Sequence, residues 1–185
     1  MYYLDLFAGI GGFALGAYWA GWRFDEHYFS EIDDYCVGLY RERFPDAVSL
    51  GDVCGIQSED LPIGDWFITG GFPCQDISIA GKGEGIEGER SGLWFEMWRI
   101  IRDLQPRWVI AENVGAITFR GLSTVLNSLA EIGYDAEWQD IRASDMGAPH
   151  RRERIWIVAY PGCEHGNEGA EKLGTISRVE NMLSI

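Results

Sequence analysis

The chain has 185 residues, of which 46% are hydrophobic and 14% aromatic, so a disordered or low-complexity protein is excluded and one well-buried domain is expected. The formal net charge of −14 argues against nucleic-acid binding through bulk positive charge, because phosphate contacts need Lys and Arg. There is no run of about 18 apolar residues and no basic segment after Met1, which predicts neither a membrane span nor a secretory signal.

The first part of the sequence alternates strand and helix patterns. Tyr2–Phe7 predicts a short buried strand, and the glycines after it predict a tight turn into a helix that ends near Trp19. A second strand is predicted over Trp22–Glu31 and a second helix over Asp33–Phe44, with Pro45 ending the helix.

The same order continues along the chain, with two further helices and a final pair of β segments. The predicted elements are, in order, the strand Asp65–Gly70, a helix over 94–104, the strand Trp108–Asn113, a helix over 122–132, and β segments over 134–142 and 154–160 that pair with each other. Strands that alternate with helices predict an α/β fold, a mostly parallel sheet with helices on both faces.

Two segments do not match a packed element. Residues 71–92 contain six glycines around a cysteine and predict a long loop, of the kind that is usually functional in a compact domain. Residues 161–185 carry few large apolar side chains and predict a weakly packed tail. We therefore expect one domain over residues 1–160, followed by this tail.

The first candidate site follows the first strand, in Asp5-Leu-Phe-Ala-Gly-Ile-Gly-Gly12. Glycines at a strand–helix turn let the backbone approach a nucleotide-like ligand, and Glu31, at the end of the second strand, can bind ribose hydroxyls. A tight structural turn is the alternative, and the spacing to Glu31 favours a nucleoside cofactor. The pattern does not separate a nicotinamide dinucleotide from S-adenosylmethionine.

Three further motifs carry reactive side chains. Cys74, in Gly-Phe-Pro-Cys-Gln, follows the end of a strand, where open α/β sheets bind ligands. This position favours a nucleophilic thiolate, with a buried structural cysteine as the alternative. Glu112, in Glu-Asn-Val, ends another strand and suits a proton donor, with an ordinary loop acid as the alternative. Arg152 and Arg154 alternate along an extended segment and can converge on one anionic or carbonyl group, unless they form a solvated basic run.

Together, these motifs resemble the cytosine-5 DNA methyltransferase family. Asp5–Phe13, Gly70–Ser78, Glu112–Val114 and Pro149–Val158 are similar to the family's motifs I, IV, VI and VIII, and weaker matches lie between them. The resemblance implies a Rossmann-like, S-adenosylmethionine-dependent methyltransferase fold over residues 1–160. Because the tRNA-methylating branch shares Pro-Cys-Gln and Glu-Asn-Val, a tRNA cytosine-5 methyltransferase is an alternative.

The resemblance also implies the cofactor, S-adenosyl-L-methionine, and the residues that hold it. These come from the segments that follow the strands: Phe7, Gly9 and Gly12 against the cofactor, Glu31 at its ribose, Ile32, Asp52 and Val53 at its adenine, and Leu93 completing the pocket. A metal is not implied.

The implied reaction takes place on a cytosine swung out of double-stranded DNA, since C5 is out of reach in the stacked duplex. Cys74 would attack C6 while Glu112 donates a proton to N3, and C5 would then take the methyl group. Arg154 would hold O2 of the base, with Arg152 beside it.

After Val158 the family continues with a target-recognition domain and motifs IX and X, and we find neither in this sequence. We therefore expect a catalytic half that grips DNA poorly by itself and needs a recognition half, possible as a second subunit. The alternative is a truncated, non-catalytic remnant that binds S-adenosylmethionine. The four scattered cysteines and the lack of a signal peptide predict a reducing, cytoplasmic compartment.

Overall fold

The computed structural model describes residues 1–73 and 92–162, which form a seven-stranded sheet and five α-helices. The elements are β1 (Tyr2–Leu6), α1 (Gly12–Trp19), β2 (His27–Ser30), α2 (Asp34–Arg43), β3 (Val48–Ser49), β4 (Trp66–Gly70), α3 (Leu93–Leu104), β5 (Trp108–Val114), α4 (Ile117–Arg120), α5 (Leu122–Glu131), β6 (Tyr134–Arg142) and β7 (Glu153–Pro161). Most of the predicted loop over 71–92, including Cys74, and nearly all of the predicted tail over 161–185 lie outside the described residues.

The strands are ordered β3-β2-β1-β4-β5-β7-β6. The first five in this order are parallel to one another, whereas β7 runs antiparallel to both β5 and β6. This confirms the predicted mostly parallel α/β sheet and the predicted pairing of residues 134–142 with residues 154–160.

Successive side chains of the central strands point to opposite faces of the sheet and build two core layers. Tyr3 and Phe67 pack with α1 and α2 on one face, and Leu4 and Ile68 pack with α3 and α5 on the other. Burying such a side chain stabilises the fold by roughly 1.5–3 kcal/mol, so helices on both faces are what these apolar strands require.

The helix α3 confirms the predicted apolar stripe. Trp94, Met97, Trp98 and Ile101 are all buried on one face of it. The indole N–H groups of Trp94 and Trp98 donate to the hydroxyl and the carbonyl oxygen of Ser128, at 3.0 and 2.7 Å, and so join α3 to α5. This layer holds the start of α3, whose N-cap is Gly92.

The prediction of a strand over Trp22–Glu31 is too long, because β2 begins only at His27. The aromatic residues that suggested a strand pack instead as rings on the α1–α2 face. Phe24 stacks on Tyr3 with ring centroids 4.5 Å apart, and Trp22 lies 5.1 Å from Phe67. Within residues 1–73 and 92–162, no helix is both long enough and apolar enough to span a bilayer.

Candidate active site

The candidate residues share one edge of the sheet. Parallel strands end at a common edge, where open α/β sheets bind ligands, and the register pairs Leu6 of β1 with Gly70 of β4 and Gly70 with Ala111 of β5. Since β7 is antiparallel, it starts at this edge, with Arg154 opposite Val114. The turn after β1, the exit from β4, Glu112 and Arg154 therefore lie side by side.

The turn between β1 and α1 has a backbone that restricts its sequence. Phe7, Gly9 and Gly11 have φ angles of 53°, 52° and 85°, a region that costs a residue with a side chain about 1–3 kcal/mol. At Gly11 a Cβ would lie 2.8 Å from the ring of Phe44, whereas at Gly9 and Gly12 a Cβ would meet no atom within 4 Å. The turn is thus closed against α2 at Gly11 and has open space beside Gly9 and Gly12.

Glu31 links this turn to the one after β2. Its Oε2 accepts the Gly9 N–H at 2.8 Å, and its Oε1 accepts the N–H groups of Ile32 and Asp33 at 2.8 and 2.9 Å. A carboxylate offers about four acceptor sites, so a hydroxyl group can still be bound. Ile32 beside it is 76% exposed and offers an apolar surface next to the carboxylate.

The other cofactor residues predicted from the sequence follow β3 or open α3. Asp52 is exposed and its Oδ1 accepts the Cys54 N–H at 3.0 Å, capping a short 3₁₀ turn. Val53 is only 4% exposed and belongs to the core, which leaves Asp52 as the accessible polar group of the pair. Leu93 is partly buried against the same core at the start of α3.

Glu112 on β5 and Arg154 on β7 form an ion pair at this edge. Glu112 Oε1 lies 2.6 Å from Arg154 Nε, and both side chains are partly buried. Burial raises the pKa of Glu112 above its ordinary value, although the positive charges of Arg154 and Arg152 oppose that shift. Arg152 precedes β7 with a φ of 26°. Glu112 therefore has the environment of a carboxyl group that can hold a proton.

Gly71 brings the exit from β4 against this carboxylate. A Cβ at Gly71 would lie 3.3 Å from Glu112 Oε2 and 4.0 Å from the ring of Phe13 on α1. Three elements (α1, β4 and β5) thus converge at one glycine. Cys74, the predicted nucleophile, lies outside the described residues.

Asn113 holds the same exit from the other side. Its Nδ2 donates to the carbonyl oxygen of Phe72 at 2.8 Å, and its Oδ1 accepts the Val114 N–H at 2.8 Å. The side chain is fully engaged and only 2% exposed. In the Glu-Asn-Val motif, the sequence predicts a role only for the acid, and neither Asn113 nor Gly71 is among the predicted site residues. The available signal for Asn113 is an amide side chain at the end of an apolar strand.

In the parts of the chain that the structure describes, no group of three or more His, Cys, Asp or Glu side chains is arranged to hold a metal ion. The geometry instead offers an open glycine turn, a carboxylate braced between two turns, and a carboxyl–guanidinium pair.

Comparisons with known proteins give one family. A family model described as C-5 cytosine-specific DNA methylase matches residues 1–178. The Type II methyltransferase M1.ScrFI of Lactococcus lactis subsp. cremoris is 38% identical over 161 residues, which are 85% of this chain and 41% of that protein. M.NgoBI of Neisseria gonorrhoeae is 37% identical over 85% of this chain and 50% of its own length.

Solved structures agree on the fold. A DNA modification methyltransferase encoded within a prophage of E. coli superposes with a TM-score of 0.67 at 29% identity, over 87% of this chain and 47% of that one. The DNMT2 of Spodoptera frugiperda superposes with a TM-score of 0.68 at 19% identity, over 91% and 52%. The chain spans about half the length of the curated relatives that it matches.

Proposed function

The chain belongs to the C-5 cytosine-specific DNA methylase family, and from that membership we propose that it is the catalytic region of a DNA (cytosine-5)-methyltransferase. The observation that carries this proposal is the partly buried Glu112–Arg154 pair, which lies against Gly71 at the exit from β4. An acid and a hydrogen-bond donor are thereby placed beside the strand exit that leads to Cys74.

S-adenosylmethionine fits the turn after β1, where it would supply a methyl group on a positively charged sulfur. Open space beside Gly9 and Gly12 admits a ligand close to the backbone. Glu31 has acceptor capacity left for a ribose hydroxyl, and Ile32 exposes an apolar surface for the adenine ring. Phe7, Asp52 and Leu93 would complete this proposed cofactor site by position, while Val53 next to Asp52 belongs to the core.

The protein residues divide the chemistry on the base. The Cys74 thiolate forms a bond to C6 of a flipped cytosine, and Glu112 donates its proton to N3, so that C5 becomes the carbon nucleophile that takes the methyl group. Solvent water or hydroxide then takes the C5 proton, the C5–C6 double bond re-forms, Cys74 leaves as the thiolate, and N3 returns its proton to the Glu112 carboxylate. Arg154 donates to the base's O2, and Arg152 adds positive charge.

Double-stranded DNA is the proposed substrate, and recognition of its sequence is proposed to need a further region. The net charge of −14 leaves little to hold the phosphate backbone. The chain also matches only 41% and 50% of two relatives' lengths. We therefore infer a recognition half, on the same polypeptide or on a second subunit.

The test is transfer of a labelled methyl group to duplex DNA and to tRNA, by the chain alone and by the chain joined to the C-terminal half of a relative such as M.NgoBI. We expect methylated duplex DNA in the joined form. Cys74→Ser should abolish transfer and keep S-adenosylhomocysteine binding, while Cys36→Ser on α2 serves as the matched control.

Three other outcomes would contradict the covalent mechanism or favour one of the alternative functions. Turnover that survives in Cys74→Ser would contradict the covalent mechanism. Methylation of tRNA in preference to DNA would identify the other branch of the family. Binding of S-adenosylhomocysteine without transfer in either form would favour the non-catalytic remnant.

A further inference from the structure

The helix α1 lacks a side-chain cap of its own. Its N-cap is Gly11 and its first intrahelical bond runs from the Leu15 N–H to the Gly11 carbonyl oxygen, so the amides before Leu15 need other partners. The Ala14 N–H bonds to the carboxylate of Asp5, which belongs to β1. Asp5 thus does from the sheet what an N-cap residue usually does from the helix.

Asp5 is completely buried beneath the cofactor turn. Its Oδ2 accepts the Tyr40 hydroxyl at 3.0 Å, and its Oδ1 accepts the Thr69 hydroxyl at 2.8 Å. A buried carboxylate is costly unless donors surround it, and here two hydroxyl groups and the Ala14 amide provide them. The turn after β1 is thereby tied to α2 and to β4.

The hydrogen bonds extend from Tyr40 to His27 and Tyr18. The Tyr40 oxygen lies 2.7 Å from Nε2 of His27, whose Nδ1 lies 3.4 Å from the hydroxyl of Tyr18 on α1. Since Tyr40 gives its proton to Asp5, His27 must donate through Nε2 and accept through Nδ1. Burial lowers the pKa of His27 to about 4, which leaves the neutral ring that this arrangement requires. All of these bonds point toward Asp5.

The ring of Tyr40 supports the turn as well. A Cβ at Gly11 would lie 3.2 Å from two ring carbons of Tyr40, and Phe29 stacks on the same ring with centroids 4.1 Å apart. Arg43, three residues further along α2, donates to the Ile10 carbonyl oxygen at 2.7 Å. The helix α2 therefore contacts two consecutive residues of the turn, Ile10 and Gly11.

We propose that Tyr40 is a positioning residue for the cofactor turn. Its hydroxyl orients the Asp5 carboxylate under the first amides of α1 and its ring supports Gly11, so it sets cofactor affinity without touching the cofactor. The role in affinity rests on the proposed cofactor site, whereas the role in fastening α1 does not.

The charge of Asp5 gives this role a pH signature. Burial raises the pKa of Asp5 to about 7, while its bonds to Thr69, Tyr40 and Ala14 oppose the shift. The titratable groups that face this cluster are Tyr3 on β1, Tyr18 on α1, His27 on β2, Glu31 after β2 and Tyr40 on α2. Removing the Tyr40 hydroxyl removes a donor that favours the anion, so the pKa of Asp5 should rise further.

The experiment compares Tyr40→Phe with Tyr2→Phe, a matched substitution on β1 outside this cluster. Amide hydrogen exchange of the cofactor-free chain is read at Ala14 and, for global stability, at Leu129 on the opposite face. In Tyr40→Phe we expect exchange at Ala14 to become about tenfold faster, as loss of a bond to a charged group allows, with exchange at Leu129 changed less than about twofold.

The second readout is the Kd of S-adenosylhomocysteine between pH 6 and pH 9. In Tyr40→Phe we expect binding about tenfold weaker at neutral pH and its pH midpoint displaced upward, with Tyr2→Phe like the wild type. Equal changes at Ala14 and Leu129, or a pH profile identical to the wild type, would overturn the positioning role. If the wild type binds no S-adenosylhomocysteine, the proposed cofactor site fails, and the exchange at Ala14 still decides whether Tyr40 fastens α1.

Discussion

Glu112 and Arg154 lie diagonally across two antiparallel strands, with 2.6 Å between Oε1 and Nε although the register places Arg154 opposite Val114. Burial, the stronger influence, raises the pKa of Glu112 and favours its neutral form, while the positive charge of Arg154 favours the carboxylate. A base whose carbonyl oxygen accepts a hydrogen bond from the guanidinium would weaken this opposing influence and raise the pKa of Glu112 further. We therefore expect substrate binding itself to prepare the acid for protonation.

Replacing Arg154 should expose that balance directly. In Arg154→Ala the pKa of Glu112 is expected to rise, because the charge that most strongly opposes the burial effect is removed. The titration of the Glu112 carboxyl carbon by ¹³C NMR measures it. Arg142→Ala is the matched control, since Arg142 pairs with Glu153, at 3.4 Å, rather than with Glu112. An unchanged Glu112 titration in Arg154→Ala would contradict the influence of Arg154 on the pKa of Glu112.

Gly71 should tolerate no side chain next to the acid. A Cβ there would lie 3.3 Å from Glu112 Oε2, so Gly71→Ala is expected to lower methyl transfer about tenfold or more by displacing a proton donor. Gly38→Ala on α2 is the control: its Cβ would meet no atom within 4 Å, and it should raise the free energy of unfolding by about 0.5–1 kcal/mol. Undiminished methyl transfer by Gly71→Ala would show that Glu112 can move away from a Cβ at position 71 without loss of activity.

Asn113 should matter for folding because both of its groups are bonded and buried. Asn113→Ala removes the buried hydrogen bonds that the side chain makes with the Phe72 carbonyl oxygen and the Val114 N–H, which is expected to cost about 1–3 kcal/mol in the free energy of unfolding. Urea denaturation measures it. Asn127→Ala, at an exposed position of α5, should be neutral or slightly stabilising, and equal effects of the two changes would refute the role given to Asn113.

The buried Asp5 predicts how stability depends on pH. Its folded-state pKa of about 7 lies above the ordinary value of 3.8, so the folded chain binds this proton more tightly than the unfolded chain. The stabilisation is present in full at low pH and is lost as the pH rises through 7. Relative to Asp5→Asn, the wild type should lose on the order of 2–3 kcal/mol of unfolding free energy between pH 5 and pH 8.

Urea denaturation of both proteins at the two pH values measures this difference. Parallel curves for wild type and Asp5→Asn would mean that Asp5 is ionised throughout that range, and the pKa argument for it would be lost.

Periodicity was sufficient for the parts of the fold whose packing is local. The stripe that includes Trp94 and Ile101 predicts α3 because residues on one helix face recur every three or four positions. The same reasoning overextended β2, because Trp22 and Phe24 are as apolar as strand residues but pack as rings before the strand begins. Hydrophobicity alone does not distinguish a strand from an aromatic loop.

Contacts between residues far apart in the chain could not be predicted from the sequence. Asp5 begins the glycine motif after β1, yet its hydrogen-bond partners Thr69 and Tyr40 lie 64 and 35 residues away in the sequence. Periodicity assigns such positions to a core face and does not indicate which of them pair. Glu112 and Arg154 were both singled out, and only the antiparallel course of β7 shows that they meet.

That antiparallel course also determines where the chain leaves the sheet. β7 starts at Glu153, at the edge that holds Glu112, and ends at Pro161, eight residues later, which at about 3.3 Å per residue is roughly 26 Å away. A recognition half that is joined at this terminus and contacts DNA beside Glu112 has to cover that distance again. The connection from β7 to such a half therefore needs at least about eight extended residues, a geometric requirement for any recognition half joined there.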